Sequence, residues 1–131
     1  MKDCKCVSTP MVTGCILNKS DESPITNQFE SRYMIGSLLY IIGTRPDIMH
    51  AVGMVGCFQA SPKETHLKEV KRIFKYLQGT VEFGLWYPNN TNFTLQAYTN
   101  VEWDGSIDDK RSTTNGAFFL GQCLVSWLNK K

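Results

Sequence analysis

The hydrophobic period of this chain changes once, near Gly79, and that change constrains the fold more than any other feature. Before it, apolar residues recur every three or four positions, as on one face of a helix; after it they crowd or alternate, as in strands. From Glu30 to Ile42 the pattern predicts a helix that buries Tyr33, Ile35, Leu38, Leu39 and Ile42. Gly43-Thr44 interrupts it. Pro46 suits the first turn of a second helix running through PDIMHAVGMVGCFQA, with Asp47 near its positive end. Ser61-Pro62-Lys63-Glu64 combines a capping box with proline at the first helical position, and Gly79 stands where that third helix should end. Its expected buried stripe is Leu67, Val70, Phe74 and Leu77.

Beyond Thr80, VEFGLWY and FTLQAYT are rich in aromatic and β-branched residues, and PNNTN between them is a turn signal. GAFFLG and CLVSWL are short apolar runs placed to pair across Gly121-Gln122. Helices followed by about four strands predict an α+β chain. Residues 1–28 read as an extended arm, 29–80 as a helical lobe and 81–131 as an antiparallel sheet. A long helix within 93–129 would contradict this reading.

Composition excludes little but directs the search. The chain has 131 residues, 42% hydrophobic and 20% charged, which suits an ordinary globular protein rather than a disordered one. A net charge of +2 is too small to identify a nucleic-acid partner, so a basic surface has to be local. The third helix offers one: Lys68, Lys71, Arg72 and Lys75 fall at helical spacings, with Glu64 and Glu69 diluting their field. Five cysteines, an odd and scattered set, do not form a disulfide framework, and a reducing compartment is expected. Cys4-x-Cys6 with Cys15 lacks the ligand number and spacing of a structural zinc site, so free thiols on a loose arm are expected. MKDCKCVSTPM has no apolar run of the kind a signal peptide needs, and MIGSLLYII is too short to span a bilayer. An intracellular protein, in cytoplasm or nucleus and away from membranes, is the expectation.

AYTNVEWDG, residues 97 to 105, has the form of a strand that delivers acids to a metal site, with Asn100, Glu102 and Asp104 on one face. Around it the chain carries a family resemblance. Ser31-Arg32-Tyr33-Met34-Ile35-Gly36-Ser37-Leu38-Leu39-Tyr40, then Thr44-Arg45-Pro46-Asp47-Ile48, resembles copia-type retrotransposon Pol polyproteins late in the reverse transcriptase, around thumb and connection. Val70-Lys71-Arg72-Ile73-Phe74-Lys75-Tyr76-Leu77-Gln78-Gly79-Thr80 is similar to the next block of that family. Trp103, Gly105, Asp108-Asp109-Lys110-Arg111-Ser112-Thr113, Phe118-Phe119-Leu120-Gly121 and Ser126-Trp127 resemble the first strands of its RNase H domain. Val7-Ser8-Thr9-Pro10-Met11 resembles its linker, so the likeness runs collinearly through nearly the whole chain.

The resemblance implies a partial, RNase H-like antiparallel sheet following a thumb-like helical lobe. It also implies where chemistry is missing. The polymerase of such proteins depends on a Tyr-x-Asp-Asp type motif, and this sequence has none. The family's RNase H strand places a metal-binding aspartate where this chain has Asn100. Magnesium is held mainly by charged carboxylate oxygens, and two-metal hydrolysis needs several of them. Asn100 and Glu102 therefore mark degenerate metal-site positions, with no cofactor expected although the parent family uses magnesium. The expected function is that of a truncated, catalytically inactive Pol remnant, with weak nonspecific binding to an RNA or DNA duplex through Lys68, Lys71, Arg72 and Lys75. The alternative is a co-opted protein-interaction module, since short proteins of this resemblance also go under secreted-effector names. An open sheet edge would in either case favour self-association.

Overall fold

Helix α1, Gln28–Ile41, begins where Asn27 accepts hydrogen bonds from the backbone amides of Phe29 (3.0 Å) and Glu30 (3.4 Å). That carboxamide satisfies two of the four donors a helix start leaves open. The computed structural model describes residues 4–20, 22–89, 94–102 and 113–130, and the side chains of residues 101, 102 and 113 lie outside the description. Ser31, Ile35 and Leu38 form the buried face of α1. Tyr33 and Leu39, expected inside, are exposed instead. Tyr33 lies two residues from Ser31, about 200° around the helix, so it must point outward once Ser31, Ile35 and Leu38 set the inner face.

A turn closed by the Thr44 and Arg45 amides on the Ile41 carbonyl leads into a 3₁₀ segment, Pro46–Ile48, and helix α2, Met49–Gly56. α2 is shorter than the PDIMHAVGMVGCFQA reading. The Cys57 amide turns back to Met54 and the Phe58 amide to Val55, which tightens the end into turns and swings Phe58 into the core. There Phe58 stacks on the His66 ring at 4.2 Å between centroids.

Helix α3 runs Glu64–Gly79. It starts two residues later than a Pro62 first position would place it, because the arm supplies the cap. The Glu64 amide donates to the Pro24 carbonyl, the Thr26 amide to the Pro62 carbonyl, and Ile25 bridges Lys63. The Lys63 amide donates to His66 Nδ1 (3.2 Å), and His66 Nε2 meets the Asn18 carbonyl at 3.2 Å. His66, Leu67, Val70, Ile73 and Tyr76 are buried, whereas Phe74 and Leu77 are half-buried at the rim. The arm is thus docked rather than loose: Leu17 is in the core, and Val7, Met11 and Cys15 pack against it.

The sheet is an antiparallel meander of β1 (Leu95–Glu102), β2 (Thr113–Leu120) and β3 (Cys123–Lys130), in that spatial order. β2 and β3 join through a two-residue turn at Gly121-Gln122, and Gly121 adopts φ +63°, a conformation costly for any other residue type. The pairing of β2 with β3 shifts at Phe118/Phe119, where a bulge falls. Three strands replace the expected four, since Val81–Tyr87 forms no ladder. Its aromatic composition suits a strand, but Gly84 weakens it, Pro88 stops it, and no neighbouring edge accepts it. Val81, Phe83 and Trp86 are consequently exposed. The sheet meets the helical lobe through β3: Trp127 Nε1 donates to the Ile42 carbonyl at 2.8 Å. The architecture is α+β.

Candidate nucleic-acid interface

On α3, positions 68, 71 and 75 share one face, and the structure gathers Lys68, Lys71 and Lys75 along a single groove of about 400 Å³. Pro24, Ile25 and Thr26 of the arm form the opposite wall, with Leu67 in the floor and Glu64 at one end. Three ammonium groups on flexible stems beside an open groove suit an extended polyanion better than a compact ligand. Arg72 is not among them. Its side chain crosses to the arm and donates to the Thr9 hydroxyl at 3.0 Å, and its Nε is buried without a hydrogen-bond partner among the described residues. The spacing that suggested one patch of four therefore resolves into three lysines and an arginine that fastens the arm.

A second polar cluster ties the 3₁₀ turn to the end of α3. Arg45 donates from Nε and Nη2 to the two Asp47 oxygens (2.9 and 2.7 Å), and from Nη1 and Nη2 to the Thr80 carbonyl (3.0 Å) and hydroxyl (2.7 Å). The Tyr76 hydroxyl donates to Asp47 at 2.8 Å, and the Thr80 hydroxyl donates to the Tyr76 carbonyl at 2.9 Å. The hydrogen bond from Arg45 holds the Asp47 carboxyl below its ordinary range against the opposing effect of burial. Burial, followed by the hydrogen bond to Asp47, pushes the Tyr76 phenol up. The forked pair is saturated by its own neighbours, which makes it a clasp rather than a ligand site. Sequence reading missed it, because Asp47 looked like a helix-end charge and nothing in the local pattern pairs it with Tyr76. The Arg-Pro-Asp spacing was the available signal.

Asn100 lies on β1 opposite Asn115 of β2, and Glu102 opposite Thr113. Asn100 is exposed. Trp103, Asp104, Gly105 and Asp108 through Ser112, which carried part of the family resemblance, lie outside the described residues. Among the described residues, no group of three or more His, Cys, Asp or Glu side chains converges to hold a metal ion. The five cysteines are free thiols, and burial raises the pKa of Cys15, with Glu69 nearby adding to the effect. No described helix is long and apolar enough to cross a membrane.

Comparison with known proteins supplies the family. The chain is 38% identical over 127 residues, 97% of its length, to the retrovirus-related Pol polyprotein from transposon RE1 of Arabidopsis thaliana. It is 34% identical over 137 residues, 99% of its length, to that from transposon TNT 1-94 of Nicotiana tabacum. The chain belongs to the retrovirus-related Pol polyproteins of copia-type transposons. It spans 9% of the first of these relatives and 10% of the second. It is also 36% identical over 98 residues to secreted RxLR effector protein 161 of Plasmopara viticola, covering 74% of this chain and 69% of that protein. No protein-family model and no solved structure matches the chain.

Proposed function

We propose that this chain is a catalytically silent segment of a copia-type Pol polyprotein that grips a nucleic-acid duplex weakly and without sequence preference. The observation that carries the reading is the convergence of Lys68, Lys71 and Lys75 on one groove. Contacts of this kind go to phosphates, so they position without reading sequence and weaken steeply with salt. Glu64 at the end of the groove keeps the affinity low. Silence is supported by Asn100, a neutral carboxamide where the resembling RNase H strand has a metal-binding aspartate, and by the lack of a Tyr-x-Asp-Asp motif in the sequence. An RNase H-like reading of the three-stranded meander is part of this proposal.

A salt titration of duplex binding tests it. With three phosphates neutralised, log K should fall against log salt with a slope of roughly −2.7, and the K68A/K71A/K75A variant should lose most of that slope. A slope near zero, or one that survives the triple substitution, would remove the lysines from the interface.

The relative named as an RxLR effector favours a second reading, a protein-interaction module, including an effector-like one. One face of α1 supports it: Phe29, Tyr33 and Tyr40 are 86%, 80% and 89% exposed. Exposed aromatic rings of this kind are enriched where proteins meet. Retained salt-independent binding to a protein partner, with no duplex binding at low salt, would decide for this reading over the first.

A further inference from the structure

Three asparagines stand in one row across the sheet. Asn100 pairs with Asn115 between β1 and β2, and Asn115 pairs with Asn129 between β2 and β3. Residues directly opposite in antiparallel strands project to the same face, so the three carboxamides share one. It is the face turned to the helical lobe: Asn129 Oδ1 lies 2.7 Å from where a Cβ on Gly53 of α2 would stand. Asn129 Nδ2 donates to Asn115 Oδ1 at 2.6 Å, which orients the middle amide and leaves its NH₂ to donate elsewhere. Among the described residues the side chains of Asn100 and His50 have no hydrogen-bond partner.

Between this row and α2 lies a cavity of about 530 Å³, whose lining includes Met49, His50, Tyr98, Asn100, Asn115 and Trp127. The volume falls in the range of small-ligand sites. Among the described residues that line it there is no Lys, Arg, Asp or Glu, a lining that favours an uncharged ligand over phosphate or a metal ion. What it offers is flat apolar surface from Tyr98, Trp127 and His50, and adjacent amide donors and acceptors from Asn100 and Asn115. That combination complements a planar ring with both donors and acceptors on its edge. A carboxamide matches the N6/N7 edge of adenine with two hydrogen bonds, and aromatic side chains stack on any base.

We propose that this cavity is a binding site for an uncharged heteroaromatic base, adenine fitting its donors and acceptors best, with Asn100 and Asn115 reading the base edge and Tyr98 stacking. On this view Asn100 gives the position a function of its own, in recognition. The site involves α2 and the sheet and is independent of the lysine groove on α3.

Adenosine, which carries no phosphate, is the probe. Titrated into the full chain and followed by ¹H–¹⁵N spectra, it should shift the Trp127 indole and the Asn100 and Asn115 side-chain resonances saturably. Exposed Asn100→Ala should weaken binding roughly tenfold, the loss of one base-edge pair, while Lys71→Ala leaves it unchanged. Asn115→Ala, judged alongside a spectrum showing an intact sheet, should weaken it as well. Absence of a saturable shift at millimolar adenosine, or equal affinity in wild type and Asn100→Ala, would overturn the proposal. So would shifts confined to α3.

Discussion

The helical lobe and the sheet differ in where their stability resides. The buried core cluster draws on the arm, α1, the 3₁₀ turn, α2, the Phe58 turn and α3, from Leu17 to Tyr76, and takes nothing from the described side chains of the strands. In β1, by contrast, every side chain from Leu95 to Asn100 is exposed, Leu95 at 69% and Tyr98 at 59%. Only Gly116 and Cys123 are buried among the described strand residues. The lobe is held by apolar burial from several directions. The sheet is held by its own ladder and by a few polar contacts to the lobe, Trp127 to Ile42 foremost. The lesson is that a β ladder can form without a core of its own, and then depends on what it leans on.

The largest expected effect breaks the lobe. Leu38→Ala, at a fully buried position, should cost about 2–5 kcal/mol in denaturant unfolding, whereas Leu95→Ala in β1 should stay within about 0.5 kcal/mol. Equal losses at the two sites would erase the distinction between the regions.

A smaller effect concerns acid. Asp47 has its pKa lowered in the folded state, chiefly by Arg45, so its contribution is fully present above the ordinary carboxylate pKa. As pH falls through the lowered folded value, that contribution is lost. Asp47→Asn should flatten this part of the pH–stability curve while leaving the neutral arm of the curve parallel to wild type. An unchanged acid limb in the variant would mean that the Arg45–Asp47–Tyr76 clasp does not bear on stability.

Smaller again is an effect on association. β1 is an edge strand, and the arm that could have covered the sheet packs on the helices instead. Exposed ladder edges invite pairing. Light scattering at micromolar concentration should show self-association, and Thr99→Pro on β1 should reduce it. A monomer insensitive to concentration would show that the edge is protected.

The helical half was legible where period and caps agreed. Ile35 and Leu38, Leu67 and Val70 repeat at helical spacing, and Gly121-Gln122 marks its hairpin. The misses share a cause, which is that local pattern does not say what lies opposite. Leu17 follows Ile16 in an aperiodic arm, so no period announces that Leu17 is buried and Ile16 exposed. VEFGLWY carries strand chemistry, yet a strand exists only against a partner. At the start of α3, the Pro24 carbonyl and the His66 ring took over capping tasks that a linear reading assigned to Ser61. The three sheet asparagines are 15 and 14 residues apart in sequence, a row that only the register of the strands creates. For the lysines, helical spacing gave their common face, but Arg72's attachment to Thr9 depends on the fold of the arm.

Among the described residues the sheet gathers no cluster of side chains able to hold a metal ion, and one measurement addresses the proposed catalytic silence directly. A labelled RNA–DNA hybrid is incubated with the chain and Mg²⁺ or Mn²⁺, alongside Asn100→Asp. The hybrid should stay intact with both proteins, because one restored carboxylate does not hold two ions in the geometry that hydrolysis requires. Cleavage by either protein above the protein-free control would contradict the account.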